Sequence, residues 1–171
     1  METELFYYID NQCNILHEIH DYIQNGVTWS WVPFVYTCKD FKKNFSQHFI
    51  DKDNFLRSLQ EHFRETHLHL YKFPSMTFYT WHKDKNVGCS LNMVLDDYNS
   101  KTIFMPDPGK KLLNDIVELK YQKYKWYLFN SQITHSVINL DTRDRILLTL
   151  TFPLKTKFCQ VKSFIQTDLN I

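Results

Sequence analysis

Thr134-His135-Ser136-Val137-Ile138-Asn139-Leu140-Asp141-Thr142-Arg143-Asp144-Arg145-Ile146-Leu147-Leu148-Thr149-Leu150-Thr151-Phe152 is the stretch on which the fold turns. Ser136 to Leu140 and Arg145 to Phe152 are short runs rich in β-branched and apolar residues, and they read as strands. Leu140 to Asp144 reads as the turn of a hairpin, so the chain leaves His135 and returns with Arg145 opposite Asn139. At a rise of about 3.3 Å per residue, Arg145 then lies roughly 13 Å from the His135 end.

Working outward, more short strands precede this pair. His67 to Tyr71 alternates, Thr77 to His82 is a dense β-branched and aromatic run, and Ser90 to Leu95, Thr102 to Met105 and Trp126 to Phe129 follow. Asp96 to Ser100 and Pro106-Asp107-Pro108-Gly109 supply turns. The first part of the chain has a different texture. Leu5, Tyr8, Ile9, Cys13, Leu16, Ile19 and Ile23 recur at helical spacing, and Asn25-Gly26 stops them. Val27 to Thr37 reads as extended, with Pro33 suiting an edge strand or bulge. Phe41, Phe45, Phe49, Phe55, Leu56, Leu59 and Phe63 return to helical spacing, broken near Asp51 to Asn54 with Asp53 or Asn54 as a cap. We therefore expect one domain over residues 1–171, mainly β with flanking helices. Residues 1–70 form a helical support region and 71–155 an antiparallel sandwich or barrel.

Bulk properties narrow the function classes. The chain has 171 residues, 43% hydrophobic and 23% charged, the composition of an ordinary globular domain. Its three glycines, Gly26, Gly88 and Gly109, exclude a P-loop and a dinucleotide fingerprint. A net charge of +1 provides no global field for nucleic acid or an anionic membrane, which argues against both as partners. Cys13, Cys38, Cys89 and Cys159 form no C-x-x-C pair and read as free thiols in a reducing compartment. Met1-Glu2-Thr3-Glu4 leads into no apolar signal core, and no run of about eighteen apolar residues exists, so a cytoplasmic protein is expected.

The residues that carry chemistry are His82, Asp84 and His135. Alternation on the strand ending Trp81-His82-Lys83-Asp84 turns His82 and Asp84 to one side. Two imidazoles and one carboxylate on one face of an iron leave three positions open, the facial triad of non-haem Fe(II) oxygenases. An H-x-D triplet recurs by chance in a chain with eight His, and a lone strand His is often structural. The further element is Arg145, an arginine heading an apolar strand, which needs an anionic partner if it points inward. Its fork pairs a carboxylate through two parallel hydrogen bonds, as Lys cannot. Arg143 has the same strand parity, but its acidic, turn-forming neighbours suit a solvated side chain. Asn92 shares a strand face with Ser90 and Val94 and is a candidate for bonding a co-substrate, or a structural amide. His67 and His69 share a face with no accompanying carboxylate and read as structural, and Trp29, Trp31 and Trp81 as core and rim.

His82-x-Asp84, then His135, then Arg145 resembles the Fe(II)/2-oxoglutarate-dependent dioxygenase superfamily. Thr134 to Asn139 before Arg145-Ile146-Leu147-Leu148 is similar to the H-x-V-x-N…R-x-x-L pattern of its prolyl and aspartyl/asparaginyl hydroxylase-like branches. The likeness covers Thr77 to Phe152. It implies a double-stranded β-helix (jelly roll) core, Fe(II) held by His82, Asp84 and His135, 2-oxoglutarate bound by Arg145 and O2 as co-substrate. It also implies hydroxylation of a protein side chain or small molecule. Leu147 stands where many relatives carry a polar residue. Two rivals remain: a non-catalytic β-sandwich binding module with incidental His and Asp, and a metal-binding cupin, whose usual H-x-H…E…H pattern is absent.

Overall fold

The computed structural model describes residues 4–32, 35–38, 44–106 and 116–171. Pro33, Phe41 and the Asp107-Pro108-Gly109 part of one expected turn lie outside them, as do the side chains of Cys38 and Phe45. Among the described residues there are eleven strands and four helices. In chain order these are β1 (Phe6–Ile9), α1 (Leu16–Gln24), β2 (Trp29–Val32), β3 (Val35–Cys38), α2 (Asn44–Lys52), α3 (Asn54–His62) and β4 (His67–Phe73). There follow β5 (Thr77–His82), β6 (Val87–Val94), β7 (Ser100–Met105), β8 (Val117–Leu119), β9 (Trp126–Phe129), β10 (Thr134–Asn139), β11 (Arg145–Pro153) and α4 (Phe158–Thr167).

The strands make two antiparallel sheets. The larger runs β1-β9-β6-β11-β4-β3-β2 and the smaller β5-β10-β7-β8. Alternation divides the larger sheet into two faces. Leu68 and Leu70 of β4, Leu91 and Met93 of β6, Trp126 and Leu128 of β9, and Leu148 and Leu150 of β11 form one core with the helices. The helices meet it through apolar stripes: Ile19 of α1, Phe55, Leu56 and Leu59 of α3, and Phe158, Val161 and Ile165 of α4. Asp53 caps α3, accepting from the Leu56 amide at 3.1 Å, and so separates it from α2 as the sequence leads one to expect. The opposite face is the inside of the jelly roll. There Phe73, Val94 and Leu147 meet Val137 of the smaller sheet, and Tyr127 and Phe129 meet Phe104.

Two sequence expectations are corrected. Leu5, Tyr8 and Ile9 do not open a helix; Phe6–Ile9 is an edge strand paired with β9, and the helix begins at Leu16. Nor do β10 and β11 form a hairpin. β10 lies between β5 and β7 in the smaller sheet, while β11 lies between β6 and β4 in the larger one. Arg145 is paired with Phe73, not Asn139. Asn139 instead ties the crossover, its amide donating to the Phe73, Pro74 and Arg143 carbonyls at 3.2, 2.9 and 3.0 Å. The chain does return toward His135, but across the barrel, so both residues face the same interior.

Candidate metal centre

β5 and β10 are neighbours, and His82 is the register partner of His135. Asp84 follows β5 by two residues. Its Oδ1 lies 3.7 Å from His82 Nε2 and 4.0 Å from His135 Nε2. One donor atom from each of the three residues lies within 4.8 Å of the others. First-row metals bind such donors at about 2.1 Å, so adjacent ligands on one face stand about 3 Å apart and these close in by about 1–2 Å to hold one.

Both imidazoles are pinned in the tautomer a metal requires. His82 Nδ1 lies 2.7 Å from the Thr80 carbonyl oxygen and His135 Nδ1 lies 2.8 Å from that of Ile133. A carbonyl only accepts, so Nδ1 carries a proton in each ring, and in the neutral form of each ring the lone pair is on Nε2. Burial, with His82 beside it, depresses the His135 pKa and favours the neutral ligand form. Aromatic rings set the ring planes. Tyr79 stacks on His82 with centroids 3.9 Å apart, and Phe129 meets His135 edge-on at 4.8 Å. Tyr71 and Tyr79 were not picked out from the sequence. Burial and then Asp84 raise both phenol pKa values, that of Tyr71 to about 12, so these hydroxyls stay neutral beside the carboxylate.

Further along the interior is Arg145, 1% exposed. Its Nη1 donates to Thr102 Oγ1 at 3.3 Å, and its guanidinium packs over the Tyr121 and Phe73 rings at 5.0 and 5.6 Å. Among the described residues, Nε and Nη2 have no hydrogen-bond partner. Burial lowers its pKa, the expected sign for a cation without an anion. Arg143 differs in each respect: it is exposed and paired with Asp96 and Asp141 at 2.8 and 3.2 Å. Asn92 is buried and donates to the Tyr121 hydroxyl at 3.3 Å, and its Oδ1 has no partner among the described residues. Its register partner Thr149, also buried, has a hydroxyl with no partner among the described residues. Leu147 is apolar lining, so Thr149, two residues on and on the same face, supplies the polar group there. Thr149 and Tyr121 escape a sequence reading because nothing local separates an inward Thr or Tyr from an outward one. The Nε and Nη2 donors of Arg145 and the Thr149 hydroxyl, all in one buried chamber, suit a carboxylate, whereas the Asn92 Oδ1 is an acceptor and adds nothing to that pairing. The residues present therefore fit both a facial-triad metal and a dicarboxylate.

His67 and His69 lie off this centre, as expected. His69 Nε2 meets Thr151 Oγ1 at 3.2 Å, and burial pulls its pKa down to about 4.

No family model matches the sequence, and neither does any curated protein. Solved structures do match in shape. A 2OG-Fe(II) oxygenase family oxidoreductase from Burkholderia pseudomallei superposes with a TM-score of 0.63 at 11% identity, over 89% of this chain and 85% of that one. A Pseudomonas putida prolyl-4-hydroxylase gives 0.63 at 12% identity, over 88% and 93%. A Trichoplax adhaerens prolyl hydroxylase, in complex with a hypoxia-inducible-factor peptide fragment, gives 0.58 at 15%, over 92% and 87%. The chain thus has the jelly-roll fold of these oxygenases.

Proposed function

We propose that this chain is an Fe(II)- and 2-oxoglutarate-dependent dioxygenase that hydroxylates a protein side chain or a small molecule. The observation that carries the reading is Arg145, a buried guanidinium with two nitrogens, Nε and Nη2, unpartnered among the described residues, in the same interior as the His82, Asp84 and His135 donors. A lone buried cation is costly and is kept where a ligand completes it. In this role His82, Asp84 and His135 hold the iron, with Nδ1 of each ring locked to a carbonyl so that Nε2 faces the metal. Arg145 Nε and Nη2 bind the distal carboxylate of 2-oxoglutarate, beside Thr149 and Asn92. Val94, Val137 and Leu147 keep water from that pairing and strengthen it. When bound, the iron and 2-oxoglutarate supply the O2 activation that C–H hydroxylation needs.

A peptide substrate is our first choice, by analogy with the Trichoplax neighbour, and a small molecule the second. No helix among the described residues is long and apolar enough to cross a membrane. We place the enzyme in the cytoplasm, where the free, buried thiols of Cys13 and Cys89 remain reduced. The test is iron content after anaerobic purification together with succinate formed from 2-oxoglutarate. A protein that takes up no iron and makes no succinate is a binding module instead.

A further inference from the structure

The strand carrying His135 and the turn that leads into it bond to the backbone on either side of His82, at Tyr79 and at Asp84. Between the pairs His135–His82 and Val137–Tyr79, β10 contains one residue, Ser136, and β5 contains two, Thr80 and Trp81. This is a β-bulge, which bends its strand and re-aims a side chain. Strict alternation would put Tyr79 and His82, three residues apart, on opposite faces. The bulge brings both inside, so the Tyr79 ring stacks on His82. Ser136 Oγ donates to the Tyr79 carbonyl at 2.6 Å, while His82 Nδ1 donates to the Thr80 carbonyl. The Tyr79 and Thr80 carbonyls are thereby satisfied, the second by the candidate ligand His82 itself.

Asp84 is held from the same segment. Its backbone N–H donates to the Ser131 carbonyl at 3.1 Å, and its carbonyl accepts from Gln132 Nε2 at 2.9 Å. The same amide nitrogen donates to the Val87 carbonyl at 2.6 Å and closes the loop after β5. β5 is an edge strand, paired on one side by β10 alone among the described residues. Its bulge and the loop beyond it therefore depend on these side-chain bonds for their shape.

We infer that Ser136 and Gln132 are positioning residues for the metal, fixing His82 and Asp84 relative to His135. The inference rests on the metal reading above. Outer partners of this kind set metal affinity by about 10–100-fold.

The test titrates metal-stripped protein with Co(II), following heat and the visible d–d spectrum. The variants are Ser136→Ala, Ser136→Thr and Gln132→Met. Ser136→Ala and Gln132→Met weaken Co(II) binding by about 10–100-fold and change the band shape. Their metal-free circular dichroism stays native, with melting lowered by less than about 10 °C. Ser136→Thr, which keeps the hydroxyl, recovers affinity and spectrum. Wild-type affinity and spectrum in both Ser136→Ala and Gln132→Met overturn the inference. If Ser136→Ala does not fold, half-buried Gln132→Met decides by the same criteria. Failure of the wild-type protein itself to bind Co(II) removes the metal reading, an outcome distinct from variants that bind as wild type does.

Discussion

Replacing Arg145 by Met should raise the stability of the ligand-free protein while removing its response to 2-oxoglutarate. Among the described residues the buried guanidinium has one hydrogen bond, to Thr102, two ring faces and no carboxylate. Replacing a buried ion pair by apolar residues of similar volume is often neutral or stabilising by about 1–4 kcal/mol, and a charge with no counter-ion has less attraction to lose. A domain of this size shifts by about 2–4 °C per kcal/mol, so the variant should melt at or above wild type, by up to about 15 °C. Adding Mn(II) and 2-oxoglutarate at about one hundred times its Kd should stabilise wild type by about 2.7 kcal/mol, or roughly 5–11 °C. The variant should not move with 2-oxoglutarate. Thermal melts of both proteins, each with Mn(II) and with or without 2-oxoglutarate, give the four numbers needed. A variant that melts well below wild type without ligand and still rises with 2-oxoglutarate would refute the reasoning. It would mean that Arg145 is a structural residue satisfied within the chain.

Other outcomes follow from the same geometry. Arg145→Lys keeps the charge but loses the paired bonds, so calorimetry should show 2-oxoglutarate affinity falling about 10–100-fold. Arg143→Lys, at an exposed ion pair, should stay within about twofold, and a larger defect there would exchange the two roles. His135→Ala should abolish iron-dependent succinate formation with the far-ultraviolet spectrum unchanged; unaltered succinate would remove His135 from the site. His69 has a folded pKa of about 4 against an ordinary 6.5, so the unfolded chain takes up its proton first as pH falls. Its contribution is present above about pH 6.5 and is lost toward pH 4, a difference of about 3 kcal/mol. His69→Gln should flatten urea-midpoint stability over that interval, and an unchanged slope would show that His69 does not carry it. Gly88→Ala would set a Cβ against the Thr156 carbonyl oxygen and 2.8 Å from that of Pro153. Chemical denaturation should show a loss of about 1–3 kcal/mol or more.

The candidate site was legible in the sequence to the extent that chemistry marks a residue by type. Imidazole, carboxylate and guanidinium have few reasons to lie inside an apolar barrel, so His82, Asp84, His135 and Arg145 can be named before any coordinates. What pairs with what is another matter. Asp141 to Asp144 has the composition of a hairpin turn and also serves as a crossover between sheets, because turn propensity is local while sheet membership is decided by distant strands. Leu5, Tyr8 and Ile9 satisfy helical spacing, but β9 offers their backbone a partner and tertiary pairing prevails. The bulge at Thr80 and Trp81 is invisible in sequence, since one extra residue in a strand changes no composition. The three-residue β8 and α4 left no expectation at all; β8 is too short to show a period.

The order of the larger sheet bears on how the chain is made. β11 is its middle strand in space and the last of the described strands in sequence. β4 and β6, which flank it, pair with it across spans such as Leu70 to Leu148 and Leu91 to Leu150. A ribosome delivering this chain releases both flanks with their inner edges open, and no amount of waiting joins them until residue 153 has emerged. Folding is therefore closed by the final fifth of the sequence and is slow for the domain's size, as non-local pairing dictates. Throughout synthesis the nascent protein carries two unpaired strand edges beside an apolar face, the state in which chains aggregate or recruit chaperones. Truncation before β11 should leave insoluble material in a cell-free translation, with solubility returning abruptly once the strand is complete.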